Sequence, residues 1–282
     1  MKFSIITPSY HQSDWLKLCI ASVADQEGVE VEHIIQDSCS DDETASWLSS
    51  DERVKAFIEK DSGMYDAVNR GLKRAAGDIL AYLNCDEQYL PGALASAASC
   101  FSANPQIDVI FADTIVVGAG GEFICYRQTL LPRLRHTVAC HLNTYTSATF
   151  FRRSIVEKGL LFDTSYRDIA DAVWVMSLLK SGVSMAHLPA FLSVFTDSGT
   201  NMGLGPNVQR EKRRYQEGFP AWWSRYSFLW ATGHRLRRLV AGYYWPPKSS
   251  YSIYTLRQPR VRTSFSVTKP AFLWKQRFHV AR

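Results

Sequence analysis

Short apolar, β-branched runs alternate with helical patterns over the first 115 residues of the chain. This alternation is typical of βαβ units and predicts a mostly parallel sheet. The predicted strands of this part are 3–7, 31–36, 54–59, 78–83 and 108–117. The predicted helices are 13–25, capped by Ser13, a short helix through 47–48, 64–76 and 91–101, opened by Pro91.

Beyond residue 118 the pattern is mixed, with strands predicted near 123–127, 148–151 and 186–195 and a helix near 168–180. The expected fold is α/β, with a Rossmann-like, mostly parallel central sheet flanked by helices. We expect one unit over 1–209, with a ligand-binding part at about 1–117 and a second part at about 118–209. A separate C-terminal extension follows over 210–282.

Charge divides the 282 residues at the same place. The formal net charge is +5, yet residues 1–209 hold 16 Lys and Arg against 25 Asp and Glu, whereas residues 210–282 hold 16 against 2. With 46% hydrophobic residues, the composition excludes a disordered or coiled-coil chain. An acidic body with a basic tail indicates chemistry in the first part and attachment to an anionic partner through the second.

The extension is also rich in aromatic residues, and part of it has helical periodicity. Its apolar positions fall on one stripe with arginines on or beside the border, a pattern typical of a helix that lies in a membrane interface. The stripe consists of Trp222, Tyr226, Leu229, Leu236 and Val240, and the arginines are Arg225, Arg235 and Arg238. Dimer contacts or binding of a phosphate-rich acceptor are the alternatives for this segment.

Neither a secretory signal nor a membrane-spanning run is recognisable in the sequence. The six cysteines lie far apart, without metal-ligand spacing, and are interpreted as reduced thiols. These features favour a cytoplasmic protein.

Carboxylates follow two predicted strands at their carboxyl ends, where open α/β sheets bind ligands. Asp37 follows the second strand, and Asp86 and Glu87 follow the strand 78–83. Asp37 alone would also fit an ordinary Asx turn. Two adjacent carboxylates at the end of an apolar strand favour a shared cation, and oxygen ligands suit Mg²⁺ or Mn²⁺. Because neither a Walker A loop nor G-x-G-x-x-G occurs, a phosphorylated ligand would be held through this metal.

Four motifs, in this order and spacing, resemble those of family 2 glycosyltransferases of the GT-A fold. They are Ser4-Ile-Ile-Thr-Pro-Ser-Tyr10, Asp37-Ser-Cys-Ser-Asp-Asp-Glu-Thr44, Asp61-Ser-Gly-Met-Tyr-Asp-Ala-Val-Asn-Arg-Gly71 and Ala76-Gly-Asp-Ile-Leu-Ala-Tyr-Leu-Asn-Cys-Asp-Glu87. The resemblance is close over about 1–120 and loose over 140–200, and it leaves the extension unmatched.

The resemblance implies a role for each matched position. Asp86 and Glu87 match the metal-binding acidic motif, although the family usually has Asp at the second position. Asp66 matches part of a helix start beside the donor pocket. The positions that match donor-binding residues are Thr7, Pro8, Tyr10, Asp37, Asp61, Tyr65, Asn69 and Asp86.

Further along the chain the matches are weaker. Asp171 resembles the catalytic base, with Asp168 in reserve, and a solvated helix-start aspartate is the alternative. Arg152 lies in a segment resembling the strand that borders the acceptor site, and His141 precedes it. Residues 196–200 match a loop that closes over the diphosphate.

The resemblance thus implies an inverting, metal-dependent enzyme of cell-surface polysaccharide synthesis. It would transfer a hexosyl or N-acetylhexosaminyl group from a nucleotide sugar to a glycan or lipid-linked acceptor, at the cytoplasmic face of the inner membrane. The alternatives are a nucleic-acid-binding or membrane-tethering module without transferase activity, and a nucleotidyltransferase. The acidic body disfavours nucleic acid, and the glycine-rich triphosphate loop that a nucleotidyltransferase needs is missing.

Overall fold

The computed structural model describes residues 1–197 and 206–274. In this part of the chain a nine-stranded sheet forms the centre of the molecule, and a separate two-stranded hairpin packs against it. The strands of the sheet are β1 (Lys2–Ser9), β2 (Glu30–Asp37), β3 (Lys55–Ile58), β4 (Ile79–Tyr82), β5 (Glu87–Tyr89), β6 (Val109–Gly118), β7 (Phe123–Arg127), β8 (Thr149–Arg152) and β9 (Met185–Asp197). The hairpin consists of β10 (Ser249–Thr255) and β11 (Gln258–Val267).

The sheet has the strand order β3-β2-β1-β4-β8-β6-β9-β5, with β7 paired to β6. Strands β1, β2, β3 and β4 are mutually parallel, and β6 pairs in parallel with β9, whereas β5, β7 and β8 run antiparallel to their neighbours. The chain moves outward from β1 to β3 and then returns to the other side of β1 with β4. This reversal opens a crevice at the carboxyl ends of β1 and β4, where such sheets bind ligands.

Ten helices pack around the sheet in the described residues. They are α1 (Ser13–Ala24), α2 (Thr44–Leu48), α3 (Met64–Arg74), α4 (Ala93–Ala103), α5 (Leu134–Ala139), α6 (Ser154–Glu157), α7 (Ala170–Lys180), α8 (Pro206–Gln216), α9 (Ala221–Arg225) and α10 (Ser227–Val240). Over residues 1–197 and 206–274, no helix is both long and apolar enough to cross a membrane.

Apolar side chains fill both faces of the sheet. On one face, β1 and β4 contribute to a cluster with α3 and α7 that includes Val68 and Trp174. On the other face, a second cluster includes Cys19 of α1 and Leu94 of α4. All six cysteines are free thiols, as predicted from their spacing.

The close approach of β4 to β1 requires glycine at position 77. A Cβ atom there would lie 2.6 Å from the backbone nitrogen of Ser4. Gly77, which lies three residues beyond the end of α3, therefore allows the next strand to join the sheet.

The predicted α/β class and sheet are confirmed, with several local differences. Ser13 is the first residue of α1 and does not cap it: its hydroxyl oxygen accepts a hydrogen bond from Trp47 Nε1 at 2.9 Å. The helix expected to open at Pro91 begins after Gly92, which adopts a left-handed conformation with φ 73°. The short strand β5 was not predicted, because its sequence, Glu-Gln-Tyr, is polar although all three residues are buried.

The C-terminal extension folds against the body. The single amphipathic helix predicted there is two helices, α9 and α10, which meet at Tyr226. The expected boundary after residue 209 falls inside α8. The β10–β11 hairpin is fastened to α1 by a bidentate ion pair between Arg262 and Asp25, with nitrogen–oxygen distances of 2.6 and 2.7 Å.

Candidate active site

A cavity of about 900 Å³ opens at the carboxyl ends of β1 and β4. Its walls come from the loops after these strands, from the start of α3, from the segment before α7 and from α8. This size and position suit a small-molecule site of an open α/β sheet. The residues predicted from the sequence that line it are Pro8, Tyr10, Asp61, Tyr65, Asp86, Glu87, His141, Asp168 and Asp171.

One wall holds the loops that follow β1 and β3. Tyr10 is half exposed, its ring stacks on His11 at a centroid distance of 3.9 Å, and the ammonium of Lys60 lies 5.7 Å from the ring centre. The carboxylate of Asp61 accepts a hydrogen bond from the backbone N–H of Gly63 at 2.9 Å, which fixes the turn into α3. An exposed aromatic ring beside a cation offers a stacking surface for a planar ligand.

Three predicted donor residues do not line the cavity. Thr7 Oγ1 hydrogen-bonds His33 Nε2 at 2.9 Å inside the protein. Both carboxylate oxygens of the fully buried Asp37 hold the next turn, accepting from Ser40 N at 2.8 Å and Ser40 Oγ at 2.7 Å. Asn69 is clamped to the backbone of Phe162 by two hydrogen bonds of 2.8 and 3.0 Å.

The predicted acceptor residue Arg152 lies at the opposite edge of the sheet. It pairs with Ile79, the first residue of β4, whereas the cavity opens after the last residue of that strand. Its guanidinium donates to the carbonyls of Ile107 and Phe101 at 2.8 and 3.3 Å. Its position therefore does not support an acceptor-side role. The part of this region that reaches the cavity is residues 144–146.

Asp86 and Glu87 lie side by side at the cavity but differ in environment. Burial raises the pKa of Asp86 to about 6, while burial and the neighbouring charge of Asp86 raise the pKa of Glu87 to about 8. Glu87 is 1% exposed and its Oε2 accepts from Asn84 N at 2.9 Å, so that it is held toward the protein. Asp86 retains some exposure and is the better placed of the two to bind a cation. The missed strand β5 explains this difference, since Glu87 is its first residue.

Across the cavity, Asp171 begins the first turn of α7 and acts on two buried tyrosines. Burial raises the pKa of Tyr65, and the charge of Asp171 raises it further. Burial likewise raises the pKa of Tyr82, followed by the charges of Asp171 and Glu87. Both phenols therefore stay protonated. They lie near the carboxyl groups of Asp171 and Glu87 and can donate hydrogen bonds there.

The C-terminal extension completes the wall beside Asp171. Lys212 and Tyr215 of α8 line the cavity, as does Trp274, whose Nε1 donates to Asp197 at 2.7 Å. Glu211 accepts hydrogen bonds from the backbone immediately before α7. These residues were not predicted as part of the site. The sequence offered one hint for Glu211, because it is an acidic residue within a run of basic residues. The predicted closing loop, 196–200, lies largely outside the described residues.

Three histidines meet between α5 and α10, and His141 among them lines the cavity. The ring nitrogens of His136, His141 and His234 lie within 4.8 Å of one another. The rings of His136 and His234 stack with an interplanar angle of 15°, so that their in-plane lone pairs run side by side rather than toward one point. Burial, with the charges of Arg237 and Lys212, lowers the pKa of His136 to about 4. The stacked rings and the positive charges of Arg237 and Lys212, rather than the lowered pKa, favour packing of neutral rings over binding of a cation.

Comparison with known proteins places the chain in a family. The model of the family "Glycosyl transferase family 2" matches residues 4–175, more than half of the chain. The chain belongs to this family. The match includes β1, β4, the acidic pair and Asp171, and it ends inside α7.

Two curated relatives of the chain are bacterial glycosyltransferases by name. The chain is 29% identical over 179 residues to a "PGL/p-HBAD biosynthesis glycosyltransferase" of Mycobacterium bovis, a match that covers 60% of this chain and 66% of that protein. It is 38% identical over 91 residues to the "putative teichuronic acid biosynthesis glycosyltransferase TuaG" of Bacillus subtilis, covering 30% of this chain and 36% of TuaG. The matches thus span less than two thirds of the relatives' own length.

Solved structures share the fold of this family 2 member. The crystal structure of S. aureus TarS 1-349 with UDP-GlcNAc superposes with a TM-score of 0.59 at 18% identity, covering 77% of this chain and 65% of that one. The mannosyltransferase PcManGT from Pyrobaculum calidifontis, in complex with GDP-Man and Mn²⁺, gives a TM-score of 0.54 at 18% identity, covering 75% and 60%. These likenesses confirm the GT-A fold.

The buried carboxylate of Glu87 predicts a measurable effect of pH on stability. Its pKa in the folded protein, about 8, lies above the ordinary value of 4.5, so the folded state binds more protons than the unfolded state between these values. Stability conferred by the protonated group is thus lost as pH rises toward 8. We expect Glu87→Gln to raise the melting temperature in EDTA more at pH 8 than at pH 5.

The matched control is Glu27→Gln, which changes an exposed glutamate in the turn after α1. It should leave the melting temperature nearly unchanged at both pH values. An equal gain for Glu87→Gln at pH 5 and pH 8 would show that the carboxylate is not strained by burial.

Proposed function

We propose that this family 2 member transfers a sugar from a nucleoside-diphosphate donor to a hydroxyl group of a glycan or lipid-linked acceptor. The observation that carries the proposal is the convergence of Asp61, Asp86 and Asp171, from distant parts of the chain, on one cavity of about 900 Å³. The nucleotide sugars bound to TarS and PcManGT support a donor of this class.

The acidic pair fits a divalent metal by its chemistry. Carboxylate oxygens are the preferred ligands of Mg²⁺ and Mn²⁺, and the cost of burying two adjacent carboxylates is offset when they share a cation. Asp86 would hold the metal, with Glu87 supporting it. When bound, such an ion neutralises charge on the leaving diphosphate.

In this mechanism Asp171 is the general base. Its carboxylate takes the proton of the acceptor hydroxyl while that oxygen forms a bond to the anomeric carbon. The bond from this carbon to the diphosphate oxygen breaks, and its electron pair leaves with the nucleoside diphosphate. One displacement inverts the anomeric centre and passes through an oxocarbenium-like state. Tyr65 and Tyr82, kept protonated beside Asp171, help to hold the base in place.

A screen of nucleotide sugars with Mn²⁺ or Mg²⁺ tests the class of reaction. We expect at least one donor to raise the melting temperature or to be hydrolysed slowly, and EDTA to remove the effect, because binding to the folded state alone stabilises it. No response to any donor would favour the binding-module alternative.

Two substitutions separate the proposed roles of base and metal ligand. Asp171→Asn should lower transfer by about 10²–10⁴-fold, the usual contribution of a general base, while donor affinity stays nearly unchanged. Asp86→Ala should instead remove the metal-dependent part of donor binding. Titration calorimetry and initial rates measure the two effects, and normal turnover of Asp171→Asn would contradict the base assignment.

We also propose that α9 and α10 dock on an anionic membrane surface. Large apolar side chains remain exposed on these helices and just beyond them: Trp222, Tyr226, Phe228, Leu229, Leu236, Leu239, Val240 and Trp245. Arg225 and Arg235 are exposed among them, and acidic side chains are absent after Glu217. Aromatic and aliphatic groups beside arginines are the composition that binds anionic lipid interfaces.

Of the arginines expected at the border of the stripe, Arg225 and Arg235 face solvent, whereas Arg238 and its neighbour Arg237 do not. Arg237 donates to the carbonyl of Leu131 at 3.0 Å, and Arg238 lies over the rings of Tyr243 and Tyr244. These two are partly buried and hold α10 to the body. Lipid binding therefore falls mainly to Arg225 and Arg235.

Vesicle sedimentation tests the surface. We expect the chain to pellet with anionic vesicles, less so as salt rises, and the double variant Phe228→Ser/Leu236→Ser to pellet several-fold less. Val261→Ser, which removes an equally exposed apolar group from the hairpin, is the matched control and should behave as wild type. Equal sedimentation of the double variant, or insensitivity to salt, would contradict the proposal.

A further inference from the structure

The residues just before α7 have no capping side chain of their own, whereas in the first turn Asp171 Oδ1 accepts a hydrogen bond from Ala172 N at 2.7 Å. The residue before the helix is Ile169, whose side chain makes no capping hydrogen bond. An exposed helix start leaves backbone N–H groups without acceptors, and a negatively charged oxygen there is stabilising. This matters for chemistry because the same segment carries Asp168 and Asp171, both of which line the cavity.

Glu211 of α8 supplies acceptors for the backbone N–H groups of residues 167–169, of which only that of Ile169 belongs to the helix start. Its Oε1 accepts from Arg167 N at 2.8 Å, and its Oε2 accepts from Asp168 N at 2.9 Å and from Ile169 N at 3.3 Å. The side chain is 7% exposed, and Asn207 Nδ2 donates to Oε1 at 2.7 Å. Charge-assisted hydrogen bonds of this kind are stronger than neutral ones and have a defined geometry.

Two further residues on the same face of α8 hold the segment just before Arg167. Arg214 donates to the carbonyl and the hydroxyl of Ser165 at 3.3 and 3.1 Å, and its guanidinium lies 4.7 Å from the ring centre of Tyr166. The ring of Tyr215 meets that of Tyr166 edge to face at 5.9 Å. Because positions i, i+3 and i+4 share one helix face, α8 contacts residues 165–169 along a single edge.

We propose that Glu211 is a positioning residue, which fixes the backbone of residues 167–169 and thereby the placement of Asp171 in the cavity. The inference rests on the proposed function, since it takes Asp171 as the base. Glu211 itself does not touch the reacting atoms in this proposal. Its contribution is the geometry of a base that must lie within hydrogen-bond reach of the acceptor hydroxyl.

A carboxylate suits this position better than an amide. Glu211 uses both of its oxygens as acceptors, toward N–H groups on three consecutive residues. A glutamine has one acceptor oxygen and one NH₂ group. The NH₂ group would face a backbone N–H of residues 167–169, so that two donors would oppose each other. Aspartate retains both oxygens but is one methylene shorter.

The test compares Glu211→Gln, Glu211→Asp and the control Glu217→Gln, which changes an exposed glutamate just after the same helix. For Glu211→Gln we expect kcat per donor-binding site to fall about 10- to 100-fold, with donor Kd within about twofold of wild type. Glu211→Asp should recover part of the loss, and Glu217→Gln should match wild type. Donor-binding stoichiometry by calorimetry corrects the rates for any misfolded fraction.

Hydrogen exchange of the peptide that covers residues 160–172 provides a readout without activity. We expect the amides of this peptide to exchange faster in Glu211→Gln than in wild type or Glu217→Gln. Unchanged exchange, unchanged kcat, or a loss of donor binding in parallel with kcat would each overturn the positioning role. A wild-type protein that turns over no donor, or an active Asp171→Asn, would instead overturn the proposed function.

Discussion

The burial of carboxylates around one cavity is the constraint on which the site depends. Asp86 and Glu87 follow a fully buried strand, and burial raises the pKa of both. Ionised carboxylates are costly in such surroundings unless a cation or several donors compensate them. Glu87 finds a backbone donor in Asn84, whereas Asp86 keeps access to the cavity. Glu87 is thus held inside the protein, whereas Asp86 is accessible to a ligand in the cavity.

The parallel half of the sheet could be predicted because β1, β2 and β4 are largely buried, apolar runs that stop at turn-forming residues. The ordered motifs predicted site roles for Asp61 and Asp86, and a weaker resemblance predicted one for Asp171; all three residues line the cavity. Asp37 and Asn69 also match these motifs, yet their polar atoms form hydrogen bonds with Ser40 and with the backbone of Phe162. A motif specifies a position along the chain, but the direction of a side chain depends on local hydrogen-bond partners.

What could not be predicted depends on contacts between distant segments. Strand β5 exists because its backbone pairs with β9, about a hundred residues later, and three polar residues carry no strand signal of their own. Arg152 resembled an acceptor-side residue, but the antiparallel pairing of β8 with β4 places it at the other end of the sheet. Neither pairing leaves a periodic trace in the sequence.

The extension has two different sides. Charge and aromatic content indicated only its outer side, where the apolar residues of α9 and α10 are exposed. On its inner side, residues of α8 line the cavity. The extension also contacts the body at α5, where the guanidinium of Arg135 lies within 5.6 Å of the ring centres of Trp222, Trp223 and Trp230. Because α8 contacts the segment before Asp171 while the next two helices face outward, an acceptor held at a membrane surface would approach the base along this wall. The basic tail therefore forms part of the wall of the proposed active site and also carries the proposed membrane-docking surface.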